Sequence, residues 1–213
     1  MVPESSTAPS ALELLGLVLG SSFAAGINVY ATVLIIGLVQ VAGWATLPAG
    51  LVILSHPVVL GVAALLCLVE FLADKIPFVD TLWDAAHTIV RPLAAAAIGF
   101  GALSQAPDGW QVGAALLAGT VALTSHSAKA STRAAANVSP EPFSNWILSL
   151  GEDLLAAALT WLATTHPVIA VGVVGVLLIA AVLMIRAIVR LACRWLLDPL
   201  LDSRIAPRDG PPP

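Results

Sequence analysis

Apolar runs, separated only by brief polar or proline-bearing breaks, fill this chain from Ala11 to Leu197. They cover residues 11–25, 29–44, 57–73, 81–103, 112–132, 143–163 and 167–197. A soluble domain of this length still needs polar surface to cover its core, and carries roughly 25% charged residues. Here 59% of residues are hydrophobic and 10% charged, and the mean hydropathy is +0.96. Lipid as solvent removes the conflict, because a membrane helix needs about 20 apolar residues and no polar face. The expectation is an all-α, polytopic transmembrane bundle of six or seven helices. It forms a single domain over 1–203, with a proline-rich, disordered tail at 204–213 and no room for a separate soluble domain.

Other bulk properties exclude partners rather than name them. A net charge of −4 speaks against nucleic acid. Cys67 and Cys193 are far apart and belong to no C-x-x-C pair, so they read as packing residues. Residues 1–10 lack Lys and Arg, hence the basic start of a cleaved signal peptide, and the first apolar run is expected to be retained.

The breaks carry chemistry of their own. Without Gly26-Ile27-Asn28 the first two runs would form one helix of about 34 residues, roughly 50 Å, against a hydrocarbon core of ~30 Å. A bend or full reversal is expected there, and residues 11–25 either span or dip in re-entrantly. Pro48, Pro77, Pro107, Pro140 and Pro142 fall in the other connections.

Orientation follows from the basic residues. Lys75 and Arg91 flank one connection, Lys129 and Arg133 precede another, and Arg186, Arg190, Arg194, Arg204 and Arg208 crowd the end of the chain. Residues 45–56 and 104–111 carry none. The positive-inside rule puts the basic connections and the C-terminus in the cytoplasm of what reads as a bacterial plasma membrane protein. Trp44, Trp83, Trp110, Trp146, Trp161 and Trp195 alternate between the two interfaces in the same sense.

An internal echo links the halves. Ser22-x-x-Ala25-x-x-Asn28-Val29 matches Ser131-x-x-Ala134-x-x-Asn137-Val138, and Ser55-His56-Pro57 matches Thr165-His166-Pro167. Two parallel three-helix repeats are expected, at about 11–75 and 112–197, joined by a linker helix at 81–103. Small secondary transporters use comparable repeat layouts, although layout alone does not carry function.

The polar residues inside these runs are the candidates for chemistry. Glu70, Asp74, Asp80, Asp84 and His87 lie within one 18-residue stretch, with Asp80, Asp84 and His87 on one helical face. Asp80 is placed to cap the next helix and Asp84 to sit in its first turn. Asp74, Asp80, Asp84 and His87 are also weak candidates for a divalent metal such as Mg²⁺. Glu152 and Asp153 lie within another apolar run, and His126, Lys129 and Arg133 end a third. Intramembrane carboxylates are costly unless paired, protonated or hydrated. Glu70, His126, Lys129, Arg133, Glu152 and Asp153 are therefore expected to meet, either in a polar cavity open to the cytoplasm or as ion pairs locking helices together. Gly26, Asn28 and Asn137 mark helix breaks whose freed backbone groups need partners.

The stretch Glu70-Phe71-Leu72-Ala73-Asp74-Lys75-Ile76-Pro77, continuing through Asp80, Trp83, Asp84, His87 and Val90-Arg91-Pro92, resembles an uncharacterised bacterial integral-membrane family, a domain of unknown function numbered 4126. The Gly26-to-Asn28 break and the polar end of the 112–132 run also look like that family, so the resemblance covers most of the chain. It implies a family signature at 70–87 and assigns it no role. No phosphate-binding loop, H-E-x-x-H or G-x-S-x-G is present, so neither a catalytic residue nor a cofactor is expected. The sequence reading is a small secondary transporter or permease handling a small solute or ion. A membrane scaffold or assembly partner is the alternative, and a metal- or lipid-dependent membrane enzyme the weakest reading.

Overall fold

The computed structural model describes residues 9–137 and 142–205, and every regular element in them is helical. Helices α1 (Ala11–Ile27) and α2 (Val29–Val41) are followed by a short 3-10 helix (Ala49–Ser55). Then come α3 (Pro57–Ala73), α4 (Pro77–Ala102), α5 (Asp108–Asn137), α6 (Pro142–Thr165) and α7 (Pro167–Ile205). Three stretches are long and apolar enough to cross a membrane, Phe78–Ala102, Trp146–Thr165 and Pro167–Arg194. A fourth arises if Ala49–Ser55 and Pro57–Ala73, bent by 67°, count as one span. Helix α5 has the length but spends its second half on Ser125, His126, Lys129 and Arg133.

Local chemistry explains the boundaries. Ser10 and Glu13 close a reciprocal capping box at the start of α1. Proline opens α3, α4, α6 and α7, where its missing N–H costs nothing. Pro77 and Pro142 thus begin helices rather than sit in connections. One expectation fails here: α4 starts four residues before Thr81, so Asp80 lies in its first turn, and Ile76, not Asp80, occupies the cap. His56 caps α3 through Nδ1, which accepts from the Val58 N–H at 3.2 Å.

A single extended residue, Asn28 (φ −146°, ψ 102°), separates α1 from α2. The chain turns back on itself there, as contacts along α6 reveal. Asn28 meets Asp153, and two turns further along α6 Thr160 meets Thr32 of α2. Ala163, further along still, packs against Gly20 of α1. Both arms of the hairpin therefore leave Asn28 in the same direction. Asp153 is 12 residues, ~18 Å, from the end of a helix about 36 Å long, so the tip of the hairpin lies near the middle of the bundle.

Helix α1 is the centre of the fold. Its residues from Gly16 to Ile27 are buried except Leu19, and α4, α5, α6 and α7 surround it. Glycines make this approach possible. A side chain at Gly16 would run into the backbone of Pro167, and one at Gly26 into Ser125 and the Ala122 carbonyl. Small residues at such crossings are the usual means of close packing between apolar helices.

Cys67 is half-buried on α3, whereas Cys193 is exposed on α7 and packs in no core. Asn137 is the last residue of α5. Its side chain, Trp195 and the 206–213 part of the expected tail lie outside the described residues; 204 and 205 are helical.

Gly26→Ala should therefore destabilise the bundle by about 1–3 kcal/mol, the range for overpacking a filled interior. Gly61→Ala, where added volume meets open space, should leave the melting temperature in detergent unchanged or raise it.

Candidate functional site

Ending a helix at mid-bundle leaves its last carbonyls without partners. Side chains from neighbouring helices take them up. Arg91 Nη1 on α4 donates to Gly26 O at 3.3 Å and Lys129 Nζ on α5 to Ile27 O at 3.2 Å, while Ser125 Oγ on α5 adds a bond to Phe23 O a turn further back at 2.9 Å. Two cations thus stand at the negative end of the α1 dipole. Asn28 serves both arms: its Oδ1 accepts from the Ala31 N–H at 2.8 Å, capping α2, while Nδ2 donates to Asp153 Oδ1 at 2.8 Å.

Carboxylates gather around these cations. Arg91 Nη2 donates to Glu70 Oε1 at 2.6 Å, and Nη1 lies 3.3 Å from Asp84 Oδ1. Lys129 Nζ is 3.1 Å from Asp74 Oδ2, 3.4 Å from Glu70 Oε1 and 3.7 Å from Glu152 Oε2. Arg133 holds Asp74 Oδ2 and Glu152 Oε2, both at 2.9 Å, with Asp80 Oδ1 at 3.9 Å. Its Nη1 also donates to the Asp74 carbonyl, tying down the end of α3. Arg91, Glu70, Asp74, Asp80 and Arg133 are each no more than 1% exposed.

Hydrogen bonding assigns His126 a neutral form. His126 Nδ1 lies 2.6 Å from Arg91 Nη1, which can only donate, so Nδ1 accepts. Thr88 gives its own proton to the Asp84 carbonyl, so at 3.0 Å it accepts from His126 Nε2–H. His87 Nδ1 donates to Trp83 O at 2.7 Å, and its Nε2 is hydrogen-bonded to the Tyr30 hydroxyl at 3.1 Å. The Trp83 ring stacks on His87.

The cluster therefore holds six carboxylates, Glu70, Asp74, Asp80, Asp84, Glu152 and Asp153, against three cations, Arg91, Lys129 and Arg133. Lys75 stands at its edge, its ammonium turned to the Phe71 carbonyl and ring. Glu70 Oε2, Asp74 Oδ1 and Asp153 Oδ2 are buried without a hydrogen-bond donor among the described residues.

Glu70, His126, Lys129, Arg133, Glu152 and Asp153 thus lie together under the Gly26–Asn28 turn, and Asp74, Asp80 and Asp84 join them. Two expectations need correction. The side chains close on one another in direct ion pairs, nearly all shielded from solvent, instead of lining an open polar cavity. Asp74, Asp80, Asp84 and His87 do not converge on a metal: among the described residues no three His, Cys, Asp or Glu could hold one. They face Lys129, Arg133, Arg91 and Tyr30 respectively. The basic residues also change role. Arg91, Lys129 and Arg133 are buried partners of acids, so among the flanking and connection-side charges only Lys75 still bears on orientation. Arg91 was missed as a site residue, though it continues the Asp80, Asp84, His87 face at the next helical step. Tyr30 and Thr88 carried no sequence signal.

A family model described as a domain of unknown function (DUF4126) matches residues 15–187, and the chain belongs to that family. No curated protein and no solved structure matches it. The matched span contains the hairpin and every residue of the cluster.

Arg133 bridges α3, α4 and α6, so Arg133→Met should leave Asp74 and Glu152 to share Lys129 alone and take from Asp80 the cation it faces. A loss of about 3–5 kcal/mol, seen as a much lower melting temperature and poor expression, is expected. Partial recovery in the Arg133→Met, Glu152→Met double variant would show that the loss comes from the orphaned charge.

Proposed function

We propose that this chain is a multi-pass integral membrane protein acting as a small proton-coupled permease. In this reading α3 to α7 cross the bilayer, and α1–α2 form a re-entrant hairpin with its tip at mid-membrane. Helices α1 and α2 are about 26 and 20 Å long, each short of a ~30 Å hydrocarbon core, and α3, no longer than α1, makes up a span only with the short helix before it. The C-terminus is cytoplasmic, at the plasma membrane of a bacterium. Lys75 and the exposed Arg186, Arg190 and Arg194 lie toward one end, as the positive-inside rule asks. Residues 11–75 and 112–197 read as parallel repeats, because the Asn28 and Asn137 ends and the His56-Pro57 and His166-Pro167 starts recur in order.

The observation that carries the proposal is the charge imbalance. Three carboxylates beyond Arg91, Lys129 and Arg133, with Lys75 at the edge to offset one of them, cannot all stay ionised in a buried, low-dielectric site, since each uncompensated charge costs several kcal/mol. Protons are the counter-charge that fits, because the carboxylates are dispersed among Arg91, Lys129 and Arg133 rather than gathered as a metal cage. Protons leaving or entering this cluster change the attraction between α3, α4, α5 and α6 and the hairpin tip. A shift of the tip relative to those helices is the step that would alternate access.

A second reading, a membrane scaffold or assembly partner, draws on the same closed packing. Arg133 and Lys129 join four elements through direct contacts, as a purely structural lock would. Proteoliposomes on a capacitive solid support separate the two. A pH step should evoke a transient current from the wild-type protein, and Asp153→Asn, which takes no ion-pair partner from a lysine or arginine and still accepts from Asn28, should abolish it while keeping the melting temperature within a few degrees. A silent wild-type protein would leave the scaffold reading standing.

A further inference from the structure

A groove of about 420 Å³ opens on the side of the bundle between α2, α3 and α6. Its walls include Ala31, Leu34, Ala64, Cys67 and Leu150, and Asp153 is the one carboxylate among its lining. That volume falls within the roughly 300–1,000 Å³ of small-molecule sites. Asp153 differs from the other acids of the cluster. Glu70, Asp74, Asp80, Asp84 and Glu152 each stand within 4.0 Å of a lysine or arginine, whereas Asp153 has no such ion pair among the described residues. Its Oδ1 takes one hydrogen bond, from Asn28, and its Oδ2 takes none.

We infer that the groove binds a lipophilic amine, an aliphatic chain ending in one protonated nitrogen, which enters sideways from the lipid. The argument is one of complementarity. Apolar walls suit an alkyl chain and gain roughly 25 cal/mol per Å² that it withdraws from water. A lone carboxylate beside those walls wants a cation, and the neighbouring acids already share Arg91, Lys129 and Arg133. An ammonium group at the groove wall supplies the missing charge, and a turn of the Asp153 side chain would bring Oδ2, now buried, into its reach. A neutral alcohol offers only a donor, and a fatty acid adds a second anion. Because Asp153 is bonded to Asn28, the ligand would sit against the hairpin tip, at the depth where the ion-pair cluster begins.

The inference rests on the groove and not on the transport reading, so binding without any pH-evoked current would leave it intact. Cys67 lines the groove and reports on it. In a Cys193→Ser background, N-ethylmaleimide alkylation of Cys67 would be followed in mild detergent with dodecylamine, dodecanol or dodecanoate added. Dodecylamine at ten times its Kd should slow alkylation about tenfold, since about a tenth of the sites then stay open. The other two should slow it far less. Asp153→Asn should remove the protection, and Ala64→Trp, which fills the groove but keeps the carboxylate, should remove it as well. Melting curves of both variants check that they fold. Equal protection by all three amphiphiles, undiminished protection in Asp153→Asn, or no protection by the amine would each overturn the inference, the first two marking a groove that takes any acyl chain.

Discussion

Helix α1 stops in the middle of the protein, and the rest of the interior is arranged around the carbonyls it leaves exposed. A buried carbonyl without a donor costs about 1–3 kcal/mol, and water is not at hand at that depth. Arg91 and Lys129 supply donors to Gly26 and Ile27, and Ser125 adds one to Phe23 a turn back. Two of those donors bring positive charge into the core, and Glu70, Asp74, Asp84 and Glu152 balance it. Each step follows from the one before: the break needs donors, charged donors need acids, and the acids fix how α3, α4 and α6 sit against the hairpin.

The same chain of needs explains why the cluster is shared among so many helices. No single helix can present both cations and acids toward one point without placing charge on its lipid face. Distributing them, with cations on α4 and α5 and acids on α3, α4 and α6, lets each helix keep an apolar outer side. The exposed faces of α3 and α7, with Val58, Val62, Leu65, Ile169 and Val176, bear this out. The acids nevertheless outnumber the cations, and a structure built only for rigidity has no need of that excess. The surplus carboxylates are what the proton-coupled proposal rests on.

Much of this was legible from residue order. Helix boundaries follow from local chemistry: proline at the start of α3 and α7 and Asn28 at the break were visible as such, because capping and missing N–H groups act within a few residues. The polar residues of the cluster were visible too, since a carboxylate inside an apolar run is conspicuous whatever its surroundings. Asp80 was misread as a cap because the start of α4 was placed at the first apolar residue after it, and the helix in fact begins at Pro77.

Pairing is what only the tertiary structure decided. Arg91 reads as a boundary charge in sequence, yet it is buried against Glu70, 21 positions away, and Asn28 finds Asp153 across 125 positions. Likewise a polar cavity and a closed set of ion pairs demand the same residue types, and only distance separates them. By itself the sequence determined the apolar helices, the place of the break and the identity of the charges, because each is a property of neighbouring residues. Whether α1 and α2 run on or turn back, which acid meets which base, and which acid is left without a cation depend on helices remote in the chain that meet only when the bundle closes.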